Sequence, residues 1–324
     1  MTLAGRDGRL AVGVDLGGTQ VRAALMDADG RLLARAADRT DLLGGPRAVA
    51  GQIERLVGQV TQGVARELLA GVGLSSPGPL DATEGVVLYV ATLPGWVDVP
   101  IVAWLQDALR LPVVLENDAV SAAVGEWQHG AGQGLSDMVY VTVSTGIGGG
   151  VIADGRVLRG RRQLAGHIGH MTTAPQGETC GCGNRGCWEA QASGTALGTL
   201  ARRALKQAQA EGRASRLAEH GDALDARHVV DAARQGDELA QQLVEQEADA
   251  LGLGIVNLLH LYSPQTVVLG GGVSAGFDLL RPGIERRVRS CALPPFRDVP
   301  VLVAALGPNS GLVGAASLIL ARSV

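Results

Sequence analysis

Residues 10–26 read LAVGVDLGGTQVRAALM. Two apolar runs joined by Gly17-Gly18-Thr19 predict a strand, a tight turn and a second strand, and Asp29-Gly30 then signals a hairpin into a third strand over residues 32–36. The glycines join strand to strand, so this is neither a P-loop nor a dinucleotide fingerprint, both of which need a helix after the glycines. Backbone N–H groups in such a turn can still cradle a phosphate. Asp15, just ahead of the glycines, is placed to hold Mg²⁺ through water. Alone, the stretch would be an ordinary hairpin.

It is not alone. Residues 138–150, MVYVTVSTGIGGG, repeat the plan: a strand, Thr145-Gly146 and Gly148-Gly149-Gly150, then another strand. Asp154-Gly155 turns once more. A separation of roughly 125–130 residues between the units suggests an internal duplication with one phosphate hairpin per lobe. Between them helix and strand alternate. Val49, Ile53, Leu56, Val60 and Val64 have helical spacing within a helix predicted over residues 46–69. Short strands come after it over residues 72–74 and 112–115, with a Pro/Gly loop, Pro77-Gly78-Pro79, after the first. Glu116-Asn117-Asp118 precedes a helix over residues 119–127, where spacing alone makes Asp118 an N-cap. A carboxylate at the C-terminal end of such a strand also faces the crevice where α/β proteins bind ligands.

Residues 164–193, LAGHIGHMTTAPQGETCGCGNRGCWEAQAS, hold three of the four cysteines and two histidines. Soft thiolates and imidazole in one short loop select zinc, and Cys180, Cys182, Cys187 plus one histidine fill a closed tetrahedral, structural site. Spacing leaves open whether His167 or His170 is the fourth ligand. Cys291 stands apart. Beyond the loop, helices are expected over residues 190–210, 229–233 and 237–261, with Gly252 and Gly254 letting the last approach a sheet. Strands are expected over residues 266–269, running into Gly270-Gly271-Gly272, and over 299–304. An apolar helix rich in small residues closes the chain over 310–320.

The composition fits an α/β protein with cores of Ala, Val and Leu: hydrophobic residues make up 46% and aromatic residues only 3%. A net charge of −4 argues against nucleic acid or an anionic membrane as partner. With no signal-like opening and no spanning apolar run, a cytoplasmic location is expected, where thiols stay reduced.

The motif G-H-x9-C-x-C-G-N-R-G-C-x-E resembles the zinc loop of the ROK family of bacterial sugar kinases and repressors. The paired glycine hairpins resemble the actin-like ATPase fold, which is ribonuclease H-like and two-lobed. The resemblance implies a small lobe of residues 1–118 and 308–324 and a large lobe of residues 119–307 that carries the structural zinc loop. It assigns zinc to His170, Cys180, Cys182 and Cys187. It places ATP and Mg²⁺ at Asp15, Gly17, Gly18, Thr19, Thr145, Gly146, Gly270 and Gly271. It places sugar at Gly78, Asn117, Asp118, His167, His170 and Glu189, and turns Asp118 from cap into catalytic base. The implied activity is ATP-dependent phosphorylation of the 6-hydroxyl of glucose by a homodimer or homotetramer.

Two departures matter. The family's usual Glu in G-E-x-G-H is His167 here, as in bacterial N-acetylmannosamine kinases, which makes that activity the alternative. Gln20 stands where Lys or Asn is usual. A sugar-sensing regulator is the rival from another class. The first strand's position near residue 10 leaves no room for the helix-turn-helix that ROK repressors carry ahead of it, and the intact Asp118 and phosphate hairpins speak for a kinase.

Overall fold

Strand β1 (Leu10–Leu16) turns into β2 (Gln20–Asp27), which pairs with it antiparallel and sets Arg22 opposite Asp15. β3 (Leu32–Arg39) adds antiparallel to β2, and its alternating exposure marks a one-sided edge strand. Helix α1 (Gly45–Val60) buries Val49, Ile53, Leu56, Val57 and Val60, the spacing that predicts it. It ends well before residue 69. The Thr61 hydroxyl donates to the Val57 carbonyl at 2.8 Å and Gly63 adopts a φ of 77°, so the chain leaves the helix there. The chain then enters β4 (Leu69–Ser76), parallel to β1 on the side away from β2. Strands β5 (Leu80–Asp81), β6 (Val86–Tyr89) and β7 (Val97–Val99) form a small antiparallel sheet. Helix α2 (Ile101–Leu109), β8 (Val113–Asn117) and α3 (Asp118–His129) complete this part, with β8 parallel to β4. The sheet order is β3-β2-β1-β4-β8.

β9 (Met138–Val143) then enters β10 (Ile147–Ala153) through a turn closed by the Ser144 N–H on the Gly146 carbonyl at 2.9 Å. The last residues of β10 pair with β11 (Arg156–Val157). Helices α4 (Trp188–Ala192) and α5 (Gly194–Ala210) are separate, because Ser193 caps α5 by accepting from the Ala196 N–H at 3.1 Å. After α6 (Ala226–Arg234) and α7 (Glu238–Tyr262), β12 (Thr266–Gly270) lies parallel to β9. Helix α8 (Phe277–Cys291) leads to β13 (Val301–Val303), parallel to β12. A glycine hairpin with two parallel strands added beyond its first strand thus occurs twice, as the repeated sequence plan requires.

The structure, a computed structural model, describes residues 9–90 and 92–322. Two units are distinguished: Met1–Leu135, Gly150–Gly166 and Ala304–Val324 form the first, and Ser136–Gly149 with His167–Val303 the second. Gly252 and Gly254 do not meet a sheet. A Cβ at Gly252 would lie 2.7 Å from Arg287 Cβ on α8, and one at Gly254 2.0 Å from Cε2 of the buried Trp188.

The closing helix α9 (Ser310–Arg322) belongs to the first unit and packs there against α3, β1 and β4. Its approach is close because glycines face backbone on every side. A Cβ at Gly13 of β1 would come 2.0 Å from the Leu312 carbonyl oxygen, and one at Gly73 of β4 1.8 Å from that of Ala315. A Cβ at Gly314 would lie 1.6 Å from the Ser121 carbonyl oxygen on α3. The buried Glu126 carboxylate of α3 fixes the entry to α9. It accepts from the Ala305 N–H (2.8 Å), the Leu306 N–H (2.9 Å), the Ser310 hydroxyl (2.7 Å) and the Ala131 N–H (3.0 Å). Backbone cannot rotate away as a side chain can. Gly314→Ala should therefore cost at least ~3 kcal/mol, the upper end of overpacking penalties, read as a lower urea midpoint. An unchanged midpoint would mean α3 and α9 pack less closely than this.

Candidate active site

In the first unit the polar end of β8 is built around Asn117. Sequence spacing made Asp118 the cap, but Asn117 does that work: its Oδ1 accepts from the N–H groups of Ala119 (3.0 Å) and Val120 (3.3 Å). Its Nδ2 is not used on the helix, and a Cβ at Gly78 would lie 3.5 Å from it. Asn117 and Gly78 are therefore neighbours, with an amide donor and a bare backbone turn side by side. Asp118 falls in the first helical turn, its Oδ1 accepting from the Ala119 N–H at 2.8 Å, with the Asn117 side chain a weaker partner of the same carboxylate. Asp118 keeps accessible surface, yet the protein packed around it desolvates the carboxylate. That desolvation, with a contribution from the negative charge of Asp15, pushes its pKa up to about 6. A carboxyl so tuned suits a general base near neutral pH.

Asp15 is more committed than the sequence suggests. Arg22, its cross-strand partner, donates to Oδ2 from Nη2 (2.5 Å) and Nε (3.2 Å), and the Ser75 hydroxyl donates to Oδ1 at 3.2 Å. Neither Arg22 nor Ser75 was picked out from sequence. The seven-residue step across a hairpin with a two-glycine turn would have pointed to Arg22. In the adjoining turn the Gly17 N–H bonds the Gln20 carbonyl at 2.9 Å, and Gly18 lies against Thr92. Thr19 is exposed.

In the second unit Thr145 and Ser144 line a cavity of about 660 Å³, with Thr195, Arg202, Asp231 and Gly272 among its other walls. Residues of the β9–β10 turn, charged side chains and apolar Val230 and Val273 share that space, whose size suits a nucleoside. Of the residues expected there from sequence, Thr145 lines the cavity while Gly146, Gly270 and Gly271 do not, and none of the α5 and α6 residues, far away in the chain, was expected. Gly270 and Gly271 are glycines for space: a Cβ would lie 2.1 Å from the Tyr140 hydroxyl at the first and 2.4 Å from the Val143 carbonyl oxygen at the second. Gly146 abuts Glu189, whose Oε2 accepts from the Ile147 N–H at 2.9 Å. Glu189 is thus bonded to the second hairpin itself.

The ligand atoms of His170, Cys180, Cys182 and Cys187 all lie within 4.8 Å of one another. Cys180 Sγ is 3.7 Å from His170 Nδ1, and Cys182 Sγ is 3.7 Å from Cys187 Sγ. Ligands held about 2.0–2.3 Å from one tetrahedral ion would be roughly 3.5–3.8 Å apart, so the set fits zinc. His167 is outside it, its ring centroid 6.3 Å from that of His170. Desolvation, and the neighbouring His170 next, hold the His167 imidazole below the ordinary histidine range. Neutral at pH 7, it offers one donor and one acceptor. Among the described residues no helix is long and apolar enough to cross a membrane.

Comparison with known proteins agrees with this architecture. The chain is 36% identical to the glucokinase of Thermotoga maritima over 96% of its own length and 97% of the relative's. It is also 36% identical to an N-acetylmannosamine kinase of Escherichia coli, over 94% of this chain and 96% of that one. The crystal structure of a ROK family glucokinase from Streptomyces griseus, in complex with glucose and AMPPNP, superposes with a TM-score of 0.80 at 36% identity, covering 95% of this chain and 98% of that one. These likenesses carry the actin-like ATPase fold with them, and the ROK sequence profile matches residues 11–322. From its first strand to its last helix, this chain belongs to the ROK family.

Proposed function

We propose that the protein is an ATP-dependent hexose kinase of the glucokinase type, transferring the γ-phosphoryl group to the 6-hydroxyl of glucose. The observation that carries this reading is the end of β8. Asn117 uses its oxygen on the helix and has its amide beside Gly78, while Asp118 holds a carboxyl raised to about 6, bonded to the Ala119 N–H and touched by the Asn117 side chain. In this reading Asn117 and Gly78 hold the sugar and Asp118 takes the proton of the attacking hydroxyl. His167, His170 and Glu189 are the second unit's sugar residues. Gly17, Gly18, Thr19, Thr145 and Gly146 receive phosphate, and the cavity bordered by Thr145 and Gly272 supports a nucleotide donor. Arg22 and Ser75 engage both oxygens of Asp15, so Asp15 would hold Mg²⁺ only through water. When bound, Mg²⁺ neutralises charge on the transferring phosphates.

A second reading, N-acetylmannosamine kinase, is favoured by His167. A neutral imidazole can donate to an acetamido carbonyl, which a carboxylate would repel. A coupled ADP-release assay with glucose, other hexoses and N-acetylmannosamine decides. Glucose should have the higher kcat/KM, and His167→Glu should move the glucose-to-N-acetylmannosamine ratio further toward glucose, by roughly tenfold or about 1.4 kcal/mol. A tenfold preference for N-acetylmannosamine in the wild type would replace the first reading by the second. A ratio unmoved by His167→Glu would take His167 out of the sugar site.

A further inference from the structure

The segment between β11 and His167, residues 158–166 (LRGRRQLAG), lies in the first unit and has an uncommon backbone. Arg162 (φ 56°) and Gln163 (φ 59°) are both in the left-handed region. Side chains other than glycine avoid that region, and it persists only where the surroundings over-determine it. Here the surroundings are two carboxylates. The Arg159 guanidinium is paired with Glu116, whose side chain is 3% exposed, and also donates to Gln163 Oε1 at 2.7 Å. Arg162 Nε donates to Asp81 Oδ2 at 3.2 Å, and the Asp81 side chain is 6% exposed. Gln163 Nε2 donates to the Thr83 hydroxyl at 3.0 Å.

The places of these carboxylates give the strap its meaning. Glu116 immediately precedes Asn117 and Asp118, and its Oε1 accepts from the Asn117 N–H at 3.0 Å. Asp81 lies three residues beyond Gly78, and its Oδ1 closes the next turn on the N–H groups of Thr83 (3.1 Å) and Glu84 (3.2 Å). One short strap therefore supplies a cation to each of the two segments that meet at Asn117 and Gly78. A buried carboxylate that loses its cation must protonate, admit water or move. Motion at Glu116 would pass directly to the next two residues. A displacement of about 1 Å at a reacting group is enough to cost a large part of the rate.

We infer that Arg159 and Arg162 are positioning residues for phosphoryl transfer: Arg159, through Glu116, fixes the turn that carries Asn117 and Asp118, and Arg162 with Gln163, through Asp81 and Thr83, fixes the turn that carries Gly78. The inference rests on the hexose kinase reading. The two arms should separate kinetically. Arg159 acts on the base, so Arg159→Gln should lower kcat roughly 10- to 100-fold with the KM for ATP unchanged. Arg162 acts on the sugar turn, so Arg162→Gln should raise the hexose KM about tenfold with kcat within a few-fold. Arg159→Lys should recover only part of kcat: Nη1 alone serves both Glu116 and Gln163, which an ammonium can imitate, but the lysine stem ends one bond short of that nitrogen.

The experiment is this kinetic set together with the Glu116→Gln single and the Glu116→Gln/Arg159→Gln double variant. Hydrogen exchange at the Ala119 and Val120 amides, read on the same proteins, needs no turnover. The double variant should be no worse than the poorer single, and exchange at both amides should quicken in Arg159→Gln but not in Arg162→Gln. Wild-type kcat and KM in both arginine variants with only a lower Tm would overturn the inference, as would unchanged exchange in Arg159→Gln. A wild-type protein inactive on every sugar would fail the kinase reading instead, leaving exchange to decide whether the strap positions the Asn117–Asp118 turn.

Discussion

Asp118→Asn should lower kcat by roughly 10²-fold or more and leave sugar affinity near the wild-type value, the usual scale for loss of a general base. The substitution is clean because α3 does not depend on Asp118 for its cap: Asn117 accepts from Ala119 and Val120. An asparagine oxygen can also keep the bond to the Ala119 N–H that Asp118 makes at 2.8 Å. The pH profile adds a second signature. With the carboxyl pushed up to about 6, the base is ionised only above that value, so kcat/KM should climb through about pH 6 and level off. That limb should vanish in the variant. Stability should move the other way. A folded-state pKa above the unfolded value of 3.8 means that this carboxyl favours the folded state when protonated, a contribution present below 3.8 and lost as pH rises through about 6. At pH 8 the variant should therefore melt no lower than wild type. Half of wild-type activity combined with a lower Tm would make Asp118 a helix residue and no base.

Removing the metal should have the other large effect. Elemental analysis of protein purified without chelator should give one zinc per chain, and Cys187→Ser should lose it. Cys187 is buried, and it stands directly ahead of α4, whose Trp188 packs on Gly254 and donates from Nε1 to the Ala250 carbonyl at 2.9 Å. The next residue, Glu189, accepts from the Ile147 N–H at 2.9 Å at the β9–β10 turn. Burial pushes the Cys180 thiol up, so a bound cation is what would keep it a thiolate at neutral pH. Structural zinc sites in small peptides contribute on the order of 10 kcal/mol to folding, and even a part of that would exceed the stability of one loop. Cys187→Ser should accordingly show a red-shifted tryptophan emission, rapid proteolysis within residues 170–190 and loss of most activity. Cys291→Ser should be silent, since Cys291 is outside the cluster. Absence of zinc, or full activity after its removal, would end the structural-metal assignment.

What could be read in the sequence is what chemistry ties to local spacing. A glycine turn between two apolar runs that alternate as strands specifies a hairpin, and both hairpins formed, although the second turn is shorter than expected, with Gly148, Gly149 and Gly150 inside β10. The Cys180, Cys182 and Cys187 loop is nearly self-contained, so residue type and short spacing were enough to foresee its convergence with a histidine.

Other features were settled by partners distant in the chain. Which of Asn117 and Asp118 caps α3 was set by how β8 enters the helix, and local pattern favoured the wrong one. The helix predicted to residue 69 stopped at Val60, because the chain from Leu69 could join β1 as a parallel strand, a gain that helical periodicity cannot register. Gly252 and Gly254 looked like a sheet contact and proved to admit α8 and Trp188. Arg159 reaches Glu116 across 43 residues, Arg162 reaches Asp81 across 81, and Ser310 reaches Glu126 across 184. Each of these pairs joins a charge to a group that nothing in its own neighbourhood identifies. The residue types of the candidate site were therefore legible in the sequence. Where Glu116 and Asp81, the neighbours of Asn117 and Gly78, find their donors was decided only by folding, because a buried carboxylate must be satisfied by whatever the fold supplies: arginines for these two, N–H and hydroxyl groups for Glu126.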